Sequence, residues 1–531
     1  MSNPFPSSSN VITAWYHEAE EARRTGHVET AQACLDRILA HDPGHAGALY
    51  SHALLALDSN QLEAAQRWVE CAIEVQPHPA FYHTLCVIQI KSGAYASAAQ
   101  TAQRGLAREP DSLALHYVLA LALQVQGRHQ DAATIYRRLL ELKPDHAAAL
   151  ANLGSVVKEM GSLDEAERHL RQAIALAPPY PGARANLAHV LLAVGRYEEA
   201  WPYFEDRWVN FLDADGRPAS ERTQLPLPEW KGGHPHVANC ANGPNSASAA
   251  QGALASEARL LVLPEQGHGD SLQFVRYLPL ALARFSRVGY ICPPPLRRLY
   301  EESLCARWPG LVMLDDAFPE TGDWDWQCSL MSLPMAFGTR LDNIPAATYL
   351  YADSRRAGQW GARLAALPNP ELPRVGVVWA GGHSGFTDDK ARSLMCAQIA
   401  PLLALPYVRW ISLQKTDDPA KRADAANASR LIDWTDEIAD FADTAALIEN
   451  LDLVISVDTS VAHLAAAMGK PVWLLNRFAG CWRWLRDRDD SPWYPSVRIF
   501  TQSQRDNWND VLERVAAALP IQGKPYRTFV R

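Results

Sequence analysis

The first part of the chain repeats one arrangement of apolar, small and turn-forming positions. An alanine stands twelve positions before the end of each block, and a glycine or asparagine stands five positions further back. Apolar residues at helical spacing, such as Leu113, Tyr117 and Leu121, predict a buried stripe. A proline closes each block, with spacings of 34, 33, 34 and 34 residues: Pro43, Pro77, Pro110, Pro144 and Pro178. Each block therefore predicts two close helices, with the glycine or asparagine in the turn between them and the proline ending the second.

After Phe204 the repeat pattern stops, and short apolar runs begin to alternate with helical segments. Residues 212–257 hold an excess of Gly, Pro, Ser, Asn and Ala, which predicts a linker. The alternation of strands and helices predicts two parallel sheets covered by helices, with a cleft at their ligand-facing loops. The apolar β runs occupy 260–263, 288–292, 311–314, 374–382, 408–414, 452–458 and 470–476.

The repeats resemble the tetratricopeptide (TPR) family, most clearly in ALANLGSVVKEMGSLDEAERHLRQAIALAP (149–178) and ARANLAHVLLAVGRYEEAWPYF (183–204). The resemblance implies an α-solenoid with a groove for a peptide or protein partner; a structural spacer is the alternative. Asn152 and Asn186 occupy equivalent repeat positions. They either hold a ligand backbone in the groove or pack helices together.

The segment DTSVAHLAAAMGKP (458–471) follows a buried apolar run and opens a helix of small residues. A helix N-terminus favours an anionic ligand, although a plain strand–helix junction capped by Thr459 or Ser460 has the same pattern. The segment resembles the nucleotide-diphosphate motif of heptosyltransferase-like GT-B glycosyltransferases; the O-GlcNAc transferases share the TPR arrangement. The resemblance implies that Thr459 and Ser460 bind the pyrophosphate, that Asp458 positions the loop or binds the ribose, and that His463 faces the phosphates.

Two further loops follow strands on the same side. WAGGHSGFTDDKARSL (379–394) contains Thr387, Lys390 and Arg392, which either clamp phosphates or form a surface charge cluster. The resemblance places a threonine and a lysine of this loop on the diphosphate, matching Thr387 and Lys390. SLQK (412–415) adds Gln414 and Lys415 as candidate contacts to a base or a phosphate.

On the amino-terminal side, GHGDSLQFVRYLP (267–279) resembles the Gly-Asp-x-Leu loop of the same group. That resemblance implies that Asp270 is the general base for an acceptor hydroxyl, a task that suits a carboxylate. A cap at the start of the following helix is the alternative role. His268 is either an alternative base or an exposed loop residue.

Two remaining segments carry weaker signals. Asp-x-Asp within DWDW (323–326) can hold a metal in another glycosyltransferase class, but it lacks the strand-end context. The segment CWRWLRDRDDSPWYP (481–495) resembles a recurrent segment of bacterial TPR-glycosyltransferases. Its Trp484, Trp493 and Tyr494 either stack on a sugar or base or pack the loop over the cleft.

The composition argues against several classes of protein. The 531 residues include 50 Lys+Arg and 59 Asp+Glu, a net charge of −9, which disfavours nucleic-acid binding. Nine cysteines without Cys-x-x-Cys disfavour a disulfide scaffold or a structural zinc site, and the absence of a signal-like start or apolar span predicts a cytoplasmic protein.

The combined hypothesis is a TPR α-solenoid at 10–208, a linker at 209–257 and an α/β GT-B unit of two Rossmann-like halves. The acceptor half is assigned to 258–350 and the nucleotide-sugar half to 351–531. The predicted function is an inverting, metal-independent transfer of sugar from a nucleotide-sugar to a hydroxyl of a protein held by the repeats, without a cofactor. Flagellin is a candidate acceptor by analogy. The alternatives are a non-catalytic adaptor with a degenerate nucleotide site and a transferase acting on glycan or lipid acceptors.

Overall fold

The computed structural model describes residues 8–210, 225–233, 235, 256–315, 320–382, 391–416 and 430–519. The chain divides into two compact units, Met1–Asn186 and Leu187–Arg531. Of the helices within the described ranges, none combines the length and hydropathy that crossing a bilayer requires.

The described residues up to Phe204 form paired helices, as the repeat pattern predicts. They are α1 (Ser8–Arg24), α2 (Val28–His41), α3 (Ala46–Asp58), α4 (Leu62–Val75), α5 (Pro79–Lys91), α6 (Tyr95–Leu106), α7 (Leu113–Val125), α8 (His129–Leu142), α9 (Ala147–Glu159), α10 (Leu163–Leu176), α11 (Pro181–Ala193) and α12 (Tyr197–Phe204).

Small residues and turn residues explain this helical pairing. The repeat alanines, for example Ala65 and Ala132, are completely buried between helices. A Cβ on Gly154 would lie 2.7 Å from Leu170 Cγ, so α9 and α10 approach too closely for a side chain there. The turn residues adopt positive φ, +56° at Asn60 and +73° at Gly127, a conformation that glycine and asparagine tolerate best.

The first sheet contains four parallel strands in the order β3-β2-β1-β4. Its strands are β1 (Ser256–Leu263), β2 (Phe285–Ile291), β3 (Leu311–Leu314) and β4 (Trp326–Ser329), with helices α13 (His268–Phe274), α14 (Leu278–Ala281), α15 (Pro294–Tyr300) and α16 (Leu333–Ala336). The sequence predicts one helix over 271–285, and this is wrong. A 3₁₀ turn at Val275–Tyr277 separates α13 from α14, where Pro279 lacks the N–H that a continuous helix needs.

The second sheet contains six parallel strands in the order β10-β9-β8-β5-β6-β7. They are β5 (Arg374–Val378), β6 (Arg409–Ser412), β7 (Leu431–Ile432), β8 (Leu453–Val457), β9 (Val472–Asn476) and β10 (Val497–Thr501). Its helices are α17 (Ser354–Ala365), α18 (Cys396–Leu403), α19 (Phe441–Ile448), α20 (Ser460–Ala467) and α21 (Asn509–Ala518). The central strand β8 is buried throughout, which explains its uninterrupted apolar run.

Helix α12 is part of the α/β unit. Trp201 Nε1 donates a 2.8 Å hydrogen bond to the Thr339 carbonyl, and Trp493 Nε1 donates one of 2.8 Å to the Tyr197 hydroxyl. The rings of Trp201 and Phe204 pack edge-on against Trp482. The last repeat helix therefore contributes side chains to the core of the second unit.

A short 3₁₀ helix, Arg207–Asn210, follows α12 and carries a buried ion pair. The Arg207 guanidinium donates two 2.8 Å hydrogen bonds to the Glu265 carboxylate, and both side chains are almost fully buried. Glu265 also accepts a 2.7 Å bond from the Met331 N–H. This pair fixes the chain just after β1, two residues before the Gly267 turn.

Candidate active site

Strand β8 delivers Asp458, Thr459 and Ser460 to the start of α20, as the sequence predicts. Thr459 is the extended N-cap residue, but no side-chain capping bond forms there. Its hydroxyl instead lies 2.9 Å from the Ser456 hydroxyl. The interpretation of Thr459 as a side-chain cap is therefore wrong, because Ser456 engages the hydroxyl. The N–H groups of the first turn of α20 are not capped by that side chain.

The first turn of α13 lies against the start of α20. A Cβ on Gly269 would lie 3.2 Å from His463 Cδ2 and 3.7 Å from both the Cα and the N of Ser460. The absence of a side chain at Gly269 allows this close approach. The two segments that the sequence analysis assigns to opposite sides of a cleft thus face each other.

Asp270 has two protein partners in this loop. Its carboxylate accepts a 3.0 Å hydrogen bond from the Gly267 N–H, so it supports the start of α13 from the third helical position. It also pairs with the Arg483 guanidinium. Asp270 is therefore not the N-cap residue itself, which is Gly267; its carboxylate instead accepts the N-cap N–H, as in a capping box. A general-base role for Asp270 stays a prediction. Supporting the helix start and acting as a base both need a carboxylate that is held in one orientation.

His463 is buried within a polar and aromatic setting. Its Nδ1 lies 2.9 Å from the Tyr494 hydroxyl, its Nε2 lies 3.6 Å from Asp458 Oδ1, and its ring stacks on Trp484 at 5.1 Å. Both ring nitrogens therefore face protein groups. The role of His463 toward phosphates stays a prediction.

Asp458 stays ionised despite its buried position. Burial raises its pKa, but the close polar contact with His463 and the charges of His463, Arg392 and Arg483 outweigh it and lower the pKa to about 2. Arg392 also donates a 3.0 Å hydrogen bond to the Asp458 carbonyl. Arg392 is thus beside the strand end, where the sequence analysis assigns it.

Gln414 and Lys415 contact backbone groups of neighbouring loops. The Gln414 side-chain carbonyl accepts hydrogen bonds from the N–H groups of Trp379 and Ala380, at 3.1 and 2.9 Å. The Lys415 ammonium donates to the Ile438 carbonyl. These bonds give both residues a structural role; their predicted contacts to a base or phosphate stay predictions.

Three predicted residues remain: Thr387, Lys390 and His268. Thr387 and Lys390 lie outside the described residues. His268 is exposed and packs its ring edge-on against Phe441 at 5.5 Å, and partial desolvation lowers its pKa. Asp270 and residues 458–463 are brought together at the meeting point of α13 and α20.

The aromatic segment packs the loop, which confirms the packing alternative. Trp484, Trp493 and Tyr494 are almost completely buried. Buried Arg276 lies over the Tyr494 ring at 4.5 Å and donates a 2.7 Å hydrogen bond to the Trp493 carbonyl. Sugar or base stacking on these three side chains is excluded by their burial.

Arg483 is the site residue that the sequence analysis does not identify. It lies mostly buried between two tryptophans in the 3₁₀ helix Trp482–Trp484 and contacts Asp270. Its signal in the sequence is a single cation within a Trp-Arg-Trp triplet. Sequence distance hides the contact, because Arg483 and Asp270 are 213 positions apart.

The Asp-x-Asp segment is structural. Asp325 accepts a 2.8 Å hydrogen bond from the Arg259 N–H and pairs with its guanidinium at 3.1 Å. No group of three or more His, Cys, Asp or Glu with metal-binding geometry occurs within the described ranges.

Known families match separate parts of the chain. Tetratricopeptide repeat families match residues 16–73, 111–178 and 157–200. Glycosyltransferase family 9 (heptosyltransferase) matches residues 438–475, which include β8, α20 and the strand-end residues. The resemblance of the repeats to the tetratricopeptide family and that of residues 458–471 to the heptosyltransferase group are confirmed, whereas the resemblance of residues 267–279 to the same group stays a prediction.

Individual relatives match over limited lengths. Protein FlbA of Caulobacter vibrioides is 30% identical over 284 residues, 49% of this chain and 46% of FlbA, so the chain spans about half the length of this relative. Among solved structures, YrrB, described as a TPR protein with an unusual peptide-binding site, is 20% identical at a TM-score of 0.30 over 32% of this chain and 88% of its own. The pilF protein of Pseudomonas aeruginosa is 13% identical at a TM-score of 0.32 over 38% of this chain and 86% of its own. The chain therefore combines tetratricopeptide repeats with a carboxyl-terminal segment similar to glycosyltransferase family 9.

Proposed function

We propose that the protein is a GT-B glycosyltransferase that moves a sugar from a nucleotide-sugar to a hydroxyl of a protein held by the repeats. One observation carries the proposal: the start of α20, within the segment that matches glycosyltransferase family 9, lies against the loop of Asp270. An anion-binding helix start and a proton acceptor are the two groups that direct glycosyl transfer needs on opposite sides of the sugar.

The chemistry follows from these two groups. The acceptor oxygen attacks the anomeric carbon and forms the new C–O bond while its proton passes to the Asp270 carboxylate. The bond from that carbon to the diphosphate oxygen breaks, and the electron pair leaves with the diphosphate. The N–H groups at the start of α20 and the hydroxyl of Ser460 stabilise this charge. One direct displacement inverts the anomeric centre.

The residues assigned to the donor extend this arrangement. Thr387, Lys390 and Arg392 would surround the diphosphate with further donors, without a metal or other cofactor. Asp458 positions the loop through its contact with His463. In this proposal Gln414 and Lys415 reach the nucleotide from the end of β6.

A protein acceptor is favoured by the TPR repeats, because solenoids of this class bind peptides and proteins along a groove. Flagellin is a candidate acceptor. Asn152 does not add to this argument, because its amide donates 3.1 and 3.0 Å hydrogen bonds to the Tyr117 and Tyr136 hydroxyls. Asn152 therefore contributes to packing between helices, which is one of the two roles that the sequence predicts for it.

Ligand binding and transfer in the full chain test the proposal together. Melting temperatures are measured with UDP, GDP, ADP and CMP and with their sugar conjugates, because a ligand that binds the folded state raises its stability. The stabilising donor, radiolabelled in its sugar, is then incubated with bacterial proteins and, separately, with lipid and glycan fractions.

We expect one nucleotide class to raise the melting temperature and label to appear in protein. Asp270→Asn should keep the nucleotide-induced shift and lose at least about 100-fold in transfer, the contribution of a general base. Asp342→Asn, an exposed carboxylate that pairs with Arg340, is the matched control and should transfer like the native chain. No shift with any nucleotide would favour the adaptor, and label only in lipid or glycan would assign the acceptor to those classes.

A further inference from the structure

Arg483 has an unusual place in the α/β unit. Its neighbour Trp482 packs among Trp201, Phe204 and Phe274, and its other neighbour Trp484 stacks on His463. Both flanking rings are buried, so the backbone of the 3₁₀ helix is held from two sides. The guanidinium between them therefore has little freedom to move away from the site.

The contacts of Arg483 connect the two faces of the site. The guanidinium pairs with Asp270, and its Nη1 lies 3.0 Å from Cys481 Sγ. Its Nε is buried and has no hydrogen-bond partner within the part of the chain described. The positive charge of Arg483 is also one of the causes that lower the pKa of Asp458.

Among the described residues, two carboxylates and two guanidinium groups lie in the neighbourhood of Arg483. Asp270 and Asp458 supply two negative charges, and Arg483 and Arg392 supply two positive charges. A diphosphate arriving beside Ser460 brings further negative charge. In this partly buried setting, the guanidinium that pairs with Asp270 is a cation placed to respond.

We propose that Arg483 is a positioning residue whose single guanidinium serves Asp270 before transfer and the departing diphosphate after it. The inference rests on the proposed function. As the acceptor proton reaches Asp270, that carboxylate becomes neutral. The electrostatic attraction between Asp270 and Arg483 then weakens. At the same moment the broken C–O bond leaves negative charge on the diphosphate. The guanidinium stays in place, and its positive charge then interacts chiefly with the diphosphate instead of with Asp270.

Three variants of the full chain test this charge sharing: Asp270→Asn, Arg483→Gln and the double variant. The probes are UDP and GDP, and their dissociation constants are measured by calorimetry at constant pH and salt. Arg488→Gln is the matched control, because Arg488 lies in the same segment and pairs with the exposed Asp490.

Asp270→Asn should bind the diphosphate roughly tenfold more tightly, because it releases Arg483 from its competing carboxylate. Arg483→Gln should bind roughly tenfold more weakly, because two carboxylates then face the diphosphate with one cation fewer. The double variant should recover affinity to within a few-fold of the native chain, because it restores the charge balance. Arg488→Gln should leave both affinities unchanged.

The outcomes separate this inference from the proposed function. If the native chain binds neither UDP nor GDP nor any other nucleotide tested, the proposed function fails and this inference with it. If the native chain binds but Asp270→Asn does not tighten binding, only the charge-sharing inference is overturned. A weakened Arg483→Gln that the double variant does not rescue would also overturn it, since packing or direct ligation would then explain the loss. If Arg483→Gln does not fold, the Asp270→Asn measurement decides alone.

Discussion

At the scale of single residues, Asp458 shows how a buried carboxyl stays charged at the end of a strand. Burial opposes ionisation, whereas His463, Arg392 and Arg483 favour it, and the pKa falls from 3.8 to about 2. A carboxyl whose pKa is lower in the folded than in the unfolded state stabilises the fold at every pH above its unfolded pKa. That contribution is lost as the pH falls from 3.8 toward 2.

The change Asp458→Asn should therefore lower the free energy of unfolding at pH 7 by on the order of 2 kcal/mol. The difference in free energy of unfolding between the native chain and the variant should become smaller as the pH falls from 4 toward 2, because the native carboxyl then becomes protonated. Urea unfolding followed by tryptophan fluorescence at pH 7, 4 and 3 measures both free energies. A difference in free energy of unfolding that stays constant over this pH range would contradict the lowered pKa of Asp458. Asp342→Asn, at an exposed carboxylate, is the control.

Sequence reasoning reached some site residues and missed others for a physical reason. Asp270, Asp458 and Ser460 were predictable because each directly follows a strand or begins a helix, where local sequence fixes its place. Arg483 was not predictable in this way. Its position depends on how the flanking Trp482 and Trp484 pack against distant segments, and no local pattern encodes packing between segments so far apart in the chain.

At the scale of elements, the buried pair of Arg207 and Glu265 connects the end of α12 to the loop after β1. Glu265 accepts hydrogen bonds from the Arg207 guanidinium and from the Met331 N–H, and its carboxylate is fully buried. The Gly267–Asp270 turn follows it directly along the chain. The geometry of the Asp270 loop therefore depends on a side chain supplied from beyond the last repeat helix.

We expect Arg207→Met to destabilise the α/β unit by about 3–5 kcal/mol, because it leaves the Glu265 charge buried without a partner. Combining Arg207→Met with Glu265→Met should recover much of this loss, because the fully buried carboxylate is then removed as well. Thermal or urea unfolding of the three variants tests the expectation. A double variant no more stable than Arg207→Met would show that packing, and not the unpaired charge, determines the loss.

Some helices and strands were easier to predict from the sequence than others. Repeat helices and the long buried strands followed their periodicity, whereas β4, β7 and β10 did not stand out as strands. Three histidines, His45, His78 and His146, start helices by accepting backbone N–H groups through Nδ1. The sequence analysis did not identify them, because serine, threonine, aspartate and asparagine are the usual residues at that position.

At the scale of the whole molecule, the division into units falls within the repeat region. The second unit begins at Leu187, inside α11, and α12 belongs to it. The predicted domain limits at 208 and 257 follow the sequence pattern and stay predictions. Contacts of Tyr197, Trp201 and Phe204 with the α/β core explain why the second unit begins earlier than the end of the repeats.

Two truncated chains distinguish these boundaries. A chain of residues 181–531 keeps α11 and α12 whole and should unfold cooperatively. A chain of residues 209–531 loses α12 and Arg207, and exposes Trp482 and Trp493. It should be less stable by more than about 3 kcal/mol, as expected when large buried aromatic contacts and the cation of a buried ion pair are removed. Circular dichroism and tryptophan fluorescence during urea unfolding measure both. Equal stability of the two chains would show that α12 is dispensable to the core.

The hydrogen bond between Tyr197 and Trp493 has a consequence for engineering and for divergence. A repeat array can be lengthened, shortened or exchanged for one of different specificity only upstream of α12. Substitutions on the inner face of α12 are constrained by the α/β core instead of by any bound partner. Changes of binding partner should therefore accumulate in α1–α10, while the inner face of α12 stays as invariant as the core that it contacts.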